Sequence, residues 1–297
     1  MSKIFLGKHW IKYEDVRLHT PQNDNEKRVI EKISDWQNGR LSFEYHTSGS
    51  TGKPKKITLK REQLEASAKA TIDALQLSSD QVACLCINPR FIGGTMMLIR
   101  AVISNMSIVV YEATANPLKG VNQKIDFIAL VPLQLHEILK DPESDKKLAK
   151  IRKVIVGGGR VPTSMLDKLK GLPGEVYSTY GMTETVSHIA LRKLNGQDRS
   201  EHYHVLDSVH IKLDQRGCLI INAPCTNHED VVTNDIVELI DNQTFKWLGR
   251  IDHVINTGGI KINGEALEES IENIFNHNDF KKNFFISSLP DDKLGQK

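Results

Sequence analysis

The chain has 297 residues, and its 39 basic and 37 acidic side chains leave a formal net charge of +2. This near balance gives no reason to expect nucleic acid or an anionic membrane surface as a partner, so a small molecule is favoured. No signal peptide begins the chain and no apolar run approaches the roughly 20 residues that span a bilayer, so we expect a cytoplasmic protein without membrane insertion. The cysteines lack metal-site spacing and are expected to be reduced core thiols: Cys84, Cys86, Cys218 and Cys225.

Apolar strands and amphipathic helices alternate over the first part of the chain. Apolar residues at helical spacing predict helices over residues 26–36, 61–75, 97–103 and 132–139. Short apolar runs predict strands over residues 81–87, 107–111, 127–131 and 153–156. This alternation predicts an α/β fold with a parallel sheet flanked by helices.

From about residue 200 the pattern changes to short strands joined by turns, over residues 209–212, 217–222 and 237–240. Such a pattern predicts a small β-rich subdomain. A boundary is expected near residue 250, followed by an amphipathic helix over residues 264–275. We therefore expect a large N-terminal domain of mixed and parallel sheets over 1–249, and the start of a small mobile α+β domain over 250–297.

Residues 47–56 (TSGSTGKPKK) combine glycines, hydroxyl groups and lysines. Glycines let backbone N–H groups crowd towards an anion, hydroxyls add donors, and lysines supply positive charge. The P-loop pattern does not fit, because Thr47 and Pro54 stand where it requires Gly and Ser or Thr. The stretch predicts a loop that grips phosphates, and a flexible Gly/Ser linker is the alternative.

Two other turns follow predicted strands. Residues 157–159 are all glycine, which lets a flat ligand approach the backbone. In residues 177–184 (YSTYGMTE), Glu184 beside the hydroxyl of Thr183 suits a Mg²⁺ ion held against phosphate oxygens. An isolated glutamate that merely caps a turn or faces solvent is the alternative. Asp235 suits ribose hydroxyls, with a plain turn aspartate as the alternative.

Three ordered motifs resemble the adenylate-forming superfamily of acyl-CoA synthetases, peptide-synthetase adenylation domains and luciferases. They are residues 47–55 (TSGSTGKPK), residues 180–185 (YGMTET), and residues 249–252 (GRID) leading into residues 258–262 (GGIKI). The resemblance covers roughly residues 41–297. It implies an ATP-dependent carboxylate–CoA ligase that works through an acyl-adenylate, with ATP, Mg²⁺ and coenzyme A as cofactors and substrates.

The resemblance also implies a role for each matching residue. The phosphate loop would comprise Thr47, Ser48, Gly49, Ser50, Thr51, Gly52 and Lys53, with Lys53 counted among the catalytic residues. The rest of the nucleotide site would comprise Gly158, Gly159, Thr179, Tyr180 and Gly181, with Asp235 and Arg250 on the ribose. Thr183 and Glu184 would be catalytic, Glu184 would bind the metal, and Asp252 would be the hinge.

In that family a lysine near the end of the C-terminal domain bridges the carboxylate and the α-phosphate during adenylation. No residue of this sequence matches that lysine, and Lys297 stands too early for the role. Because a preorganised donor of this kind is worth about 10²–10³ in rate, the chain as given is expected to adenylate poorly.

Several stretches look like the short o-succinylbenzoate–CoA ligases of menaquinone biosynthesis: residues 91–97, 131–134, 187–190 and 233–237. Their substrate is an aromatic keto-diacid, which needs an anchor for the carboxylate that does not react. The candidate anchors flank matched loops and are Arg90, Ser187, His188 and Arg192. A ligase for another aryl or short acyl acid, and a non-catalytic nucleotide- or acyl-adenylate-binding protein, remain as alternatives, and the oligomeric state stays open.

Overall fold

The computed structural model describes residues 2–46, 55–277, 280, 284–291 and 295–296. The helices are α1 (Asp24–Gln37), α2 (Arg61–Leu75), α3 (Ile92–Ile103), α4 (Pro132–Lys140), α5 (Pro142–Leu148), α6 (Thr163–Leu169) and α7 (Gly264–His277). The strands before residue 200 are β1 (Lys3–Leu6), β2 (His9–Lys12), β3 (Ser42–His46), β4 (Lys56–Lys60), β5 (Val82–Leu85), β6 (Ser107–Val110), β7 (Phe127–Leu130), β8 (Lys153–Val156), β9 (Glu175–Gly181) and β10 (His188–Lys193).

The later strands are β11 (Tyr203–Val205), β12 (His210–Leu213), β13 (Cys218–Asn222), β14 (Val231–Leu239), β15 (Thr244–Arg250), β16 (Val254–Thr257), β17 (Ile260–Asn263), β18 (Pro290–Asp291) and β19 (Gly295–Gln296). The predicted α/β fold class with a β-rich region is confirmed. None of the helices within the described ranges is both long and apolar enough to cross a lipid bilayer.

The centre of the fold is a run of parallel strands in the order β9-β8-β7-β5-β6-β1. Successive side chains of a strand point to opposite faces. On β5, Ala83 and Leu85 join one buried core while Cys84 joins the other. Helices α1, α2 and α3 pack on the first face, and α4, α5 and α6 pack on the second. All four cysteines are free and buried, as predicted.

The β-rich region continues this sheet instead of standing apart from it. From β9 the order runs on through β10, β11, β15, β14, β13 and β12, and every one of these pairs is antiparallel. Residues after Arg250 form a separate sheet of β16 to β19 together with α7, and α7 contacts β15 and α6. The division at residue 250 and the mobility of the last part stay predictions.

The strand order reverses direction between β5 and β7, since β6 lies on one side of β5 while β7, β8 and β9 follow on the other. Ligands of open α/β sheets bind at the carboxyl ends of strands beside such a reversal. A ligand-binding site is therefore expected among the loops that follow β5, β7, β8 and β9.

Gly94 and Gly93 differ in what surrounds them near the start of α3. A Cβ added at Gly94 would lie 2.5 Å from the backbone oxygen of Asn88, whereas a Cβ at Gly93 would meet nothing within 4 Å. We expect Gly94→Ala to destabilise the protein by about 1–3 kcal/mol, because backbone would have to move. Gly93→Ala is the matched control and should be neutral or stabilising by up to about 1 kcal/mol. Urea unfolding measures both, and equal effects would contradict the close packing of α3.

Glu175, at the start of β9, makes a pH-dependent contribution to the stability of the fold. Burial alone would raise its pKa, but hydrogen bonds from Lys153 and Lys193 outweigh burial and lower the pKa to about 2. A lowered folded-state pKa contributes stability that is present above the unfolded value near 4.5 and is lost as pH falls towards 2. The stability difference between wild type and Glu175→Gln should therefore shrink over that window. Urea unfolding at stepped pH tests this, with Glu143→Gln as control, and a difference that stays constant with pH would refute it.

Candidate functional site

Two predicted turns meet at the carboxyl ends of β8 and β9. The three glycines follow β8, and a Cβ added at Gly157 would lie 2.4 Å from the Oγ1 atom of Thr179 on β9. Gly158 has a φ of +78°, in the left-handed region that favours glycine. Gly159 lies beside Pro132 at the start of α4. The structure thus brings the turn of residues 157–159 against Thr179 at the end of β9, and we call these four residues the glycine cradle.

Asp235 is the most connected of the predicted residues. Its side chain is 8% exposed, and β14 places it directly opposite Arg250 on β15. The hydroxyl of Tyr180 donates to Oδ2 at 2.7 Å, and the indole Nε1 of Trp247 donates to Oδ1 at 3.2 Å. Arg250 Nη1 lies 3.9 Å from Oδ1. The buried carboxylate is therefore satisfied by donors from two other strands, and the prediction missed Trp247 as one of them.

The ring of Tyr180 is fixed by aromatic packing. It meets Phe245 edge-on at 5.1 Å between centroids and lies 5.8 Å from the ring of Tyr203. Burial raises the pKa of the Tyr180 hydroxyl, and the negative charge of Asp235 raises it further. At neutral pH the hydroxyl therefore stays protonated and remains a donor to Asp235.

Arg250 connects this carboxylate to the segment that follows β15. Its Nε and Nη2 atoms donate to the two carboxylate oxygens of Asp252 at 2.9 and 2.8 Å. This bidentate pair raises the pKa of Arg250 and lowers the pKa of Asp252. Asp252 stands in the short 3₁₀ turn Ile251–His253. The structure thus pairs the side chain of Asp252 with Arg250, a residue predicted to contact the ribose. The hinge role of Asp252 stays a prediction.

A tight turn holds Thr183 and Glu184 beyond β9. The 3₁₀ turn Thr183–Thr185 is followed by Val186 with φ 65° and ψ −56°, and the backbone N–H of Ser187 donates to the oxygen of Thr185 at 2.7 Å. This is a γ-turn of the rare strained type, and a β-branched residue at positive φ is an outlier of the kind found at functional sites. The turn leaves Glu184 exposed to solvent.

Gly181 is required where β9 meets this turn. A Cβ there would lie 2.2 Å from the backbone oxygen of Ser187 and 2.5 Å from the Cα of His188. Both atoms belong to the backbone and cannot rotate away. The glycine of the YGMTE stretch is therefore explained by the close approach of β10.

The predicted phosphate loop lies largely outside the described residues. These are Thr47, Ser48, Gly49, Ser50, Thr51, Gly52 and Lys53, and their roles stay predictions. The flanking strands are described: β3 and β4 pair antiparallel, with His46 opposite Lys56. No group of three or more metal-ligating side chains occurs in the described part of the chain.

The predicted anchor residues fall in different places. Arg90 is exposed and lines a cleft of about 500 Å³ with residues of α1 and β3, such as Lys32 and Tyr45. Ser187 and His188 lie side by side after the turn, and Ser187 accepts a hydrogen bond from Arg100 of α3, a residue that the prediction missed. The sequence signal for Arg100 is a charged residue inside an apolar helical run, MMLIRAVI.

Arg192 lies on β10. Its guanidinium carbon lies 5.3 Å from the centre of the Tyr203 ring, on which it stacks.

Comparison with known proteins gives a consistent result. The profile of the AMP-binding enzyme family matches residues 6–215. A probable 2-succinylbenzoate–CoA ligase of Mycobacterium tuberculosis is 28% identical over 294 residues, which is 91% of this chain and 72% of that protein. The crystal structure of an acyl-CoA synthetase (AMP-forming)/AMP-acid ligase II-like protein from Dyadobacter fermentans is 40% identical, with a TM-score of 0.74 over 95% of this chain and 81% of that one.

More distant structures share the fold. The o-succinylbenzoate CoA synthetase of Bacillus subtilis with its acyl-adenylate intermediate is 23% identical, with a TM-score of 0.69 over 85% of this chain and 57% of that chain. The same enzyme with ATP and a magnesium ion is 22% identical, with a TM-score of 0.68 over 84% and 58%.

Removing the Tyr180 hydroxyl tests the importance of the buried carboxylate. Tyr180→Phe leaves Asp235 without its shortest donor, and loss of a hydrogen bond to a charged group costs about 1.5–3 kcal/mol. Tyr203→Phe is the matched control, because that hydroxyl bonds the neutral Ser178 Oγ at 2.9 Å in the same aromatic cluster. The control should cost about 0.5–1.5 kcal/mol. A Tyr180→Phe cost in urea unfolding no larger than that of the control would show that Asp235 does not depend on this donor.

Proposed function

The chain belongs to the AMP-binding enzyme family, and on that premise we propose that it is a ligase that joins a carboxylic acid to coenzyme A. ATP would drive the reaction through an acyl-adenylate, and 2-succinylbenzoate would be the acid. The observation that carries the proposal is the buried Asp235 carboxylate, held opposite Arg250 beside the end of β9. We further propose a cytoplasmic location, which the free cysteines support.

Asp235 has capacity left for a ribose. A carboxylate offers about four acceptor positions, and Tyr180 and Trp247 each take one. A ribose hydroxyl can therefore donate to the same group without displacing either partner. The glycine cradle fits a flat base, because residues 157–159 have no side chains that would keep the base from the backbone. A Cβ at Gly157 would collide with Thr179 and change the shape of the cradle. Adenosine is the ligand that this pair of features supports.

The exposed Glu184 fits a magnesium ion. Mg²⁺ keeps several waters and binds one or two carboxylates together with substrate phosphates, so a protein cage is not required. An exposed carboxylate at the end of β9, next to the hydroxyl of Thr183, meets that description. When bound there, the ion would neutralise phosphate charge during adenylation.

The proposed reaction has two steps. An oxygen of the acid attacks the α-phosphorus of ATP, pyrophosphate leaves, and a mixed acid anhydride with AMP forms. The thiol sulfur of coenzyme A then attacks the carbonyl carbon and loses its proton to solvent. The bond to the AMP oxygen breaks, AMP leaves, and a thioester is released. The chain's own residues contribute positioning and charge, which carry most phosphoryl-transfer catalysis. Asp235 and Arg250 would orient the ribose, and Thr183 would contact the phosphates.

The names of similar proteins support 2-succinylbenzoate as the acid. The mycobacterial protein is a probable 2-succinylbenzoate–CoA ligase, and the Bacillus subtilis structure holds the corresponding acyl-adenylate. Ser187 and His188 stay our candidates for contact with the second carboxylate, because they follow the strained turn beyond Glu184. Formation of the thioester from ATP, coenzyme A and 2-succinylbenzoate, followed by mass spectrometry, is the direct test. A faster reaction with benzoate or a short acyl acid would replace the proposed substrate.

Two variants separate the metal and ribose roles. Glu184→Ala should raise the dissociation constant of Mg·ATP at least tenfold, about 1.4 kcal/mol, while AMP without metal binds almost unchanged. Asp235→Ala should weaken the binding of both Mg·ATP and AMP, because both ligands carry the ribose. Calorimetry measures each value, with Glu143→Ala on α5 as a control of equal charge change. Mg·ATP affinity that is unchanged in both variants would remove this site assignment.

A further inference from the structure

Lys32 of α1 lines the cleft that also contains Arg90, and aromatic rings form the floor beneath its amino group. The Nζ atom lies 4.8 Å from the centre of the Tyr45 ring and 5.8 Å from that of Phe43. Both rings are buried, and Lys32 is itself half-buried. The rings therefore hold the amino group at the wall of a cleft of about 500 Å³.

The described residues offer this amino group no ion-pair partner. Three carboxylates line the cleft, and two of them are paired with other cations. Asp35 accepts a hydrogen bond from Nη1 of Arg40 at 2.7 Å. The carboxylate of Glu44 lies 2.7 Å from the Nζ atom of Lys56. The third, Glu31, is the preceding residue of α1, and adjacent residues of a helix do not face each other.

The surroundings of Lys32 favour its uncharged form. Besides the three carboxylates, the charged and titratable groups around it in the cleft are Arg28, Arg40, His46 and Arg90. Burial is the largest cause that lowers the pKa of Lys32. Asp35 and Glu31 oppose this effect, whereas Arg40 and Arg28 add to it. A larger share of Lys32 than of an ordinary exposed lysine is therefore a free amine at neutral pH, and the free amine is the nucleophilic form.

The cleft has room and an apolar wall for an acyl group. Its volume of about 500 Å³ lies within the usual range for small-molecule pockets. Phe91 is 57% exposed and lines the cleft, so an aryl or alkyl chain can pack against it. Arg90 is exposed beside it and can pair with a phosphate of the acyl donor. Both residues follow β5, whose carboxyl end is expected to border the site of acid activation.

We infer that Lys32 is an acylation site, to which this cleft admits activated carboxylic acids. The amine nitrogen attacks the carbonyl carbon of an acyl thioester or an acyl-adenylate, and an amide N–C bond forms. The C–S bond to coenzyme A, or the C–O bond to AMP, breaks, and the leaving group keeps the electron pair. The amine releases its proton to solvent. The inference goes beyond the proposed function, on which it rests only for the source of the activated acid.

The test supplies the full chain with benzoyl-coenzyme A in one arm and benzoyl-adenylate in the other, without ATP. Peptide mass spectrometry measures initial acylation rates at Lys32 and at Lys27, an exposed lysine of the same helix. Lys32 should react about fivefold faster or more at pH 7.5. The ratio should fall as the pH is raised to 10, because exposed lysines then also lose their protons. Phe91→Ala should at least halve the rate at Lys32 and leave that at Lys27 unchanged.

Donors that are supplied ready-made keep this test independent of the proposed function. Faster acylation of Lys32 by the thioester, the adenylate or both supports the inference and identifies the donor. A rate at Lys32 that equals or falls below that at Lys27 in both arms overturns it, since the aromatic contacts would then keep Lys32 protonated. A Phe91→Ala protein with an unchanged rate at Lys32 also overturns it, because the cleft would not hold the donor. Failure to form a thioester from ATP, coenzyme A and the acid counts against the proposed function alone.

Discussion

The buried carboxylate of Asp235 is the interaction on which the site depends. A carboxylate whose side chain is 8% exposed persists in the fold only when donors surround it, and here Tyr180 donates to it from β9 and Trp247 from β15. The Tyr180 contact thereby links the last parallel strand to a strand of the antiparallel extension, in addition to the pairing of β9 with β10. Arg250 lies opposite Asp235 on β15 and pairs in turn with Asp252. The charged groups of the site therefore extend into the segment that leads to α7.

Close approaches of backbone shape the rest of the site. Gly157 and Gly181 lie where a Cβ would collide with Thr179 or with the backbone of Ser187, so the β8 turn and the start of β10 can crowd the end of β9. The strained turn at Val186 then projects Glu184 outwards and Ser187 back towards α3. One short segment therefore presents the Glu184 carboxylate to solvent and the Ser187 hydroxyl to the buried guanidinium of Arg100.

Periodic segments of the fold were predictable from sequence, whereas contacts set by register were not. The helix α2 and the strand β8 match their predicted bounds, because amphipathic spacing and apolar runs report directly on burial. The short strand β1 and the edge strand β2 were missed, since each has only four residues of mixed polarity. Trp247 was missed because cross-strand register is not readable from one strand. Arg100 was missed because a helical arginine is ordinarily assigned to the solvent face.

The most direct test of this account follows the oxygen atoms. If 2-succinylbenzoate labelled with heavy oxygen in its carboxylates is converted with ATP and coenzyme A, the activated group loses one of its oxygens to AMP. Mass spectrometry should then find AMP that carries one heavy oxygen, together with unlabelled pyrophosphate. Thioester formation that yields ADP and labelled phosphate would contradict it, because the acid would then have been activated at the γ-phosphate and not through an adenylate.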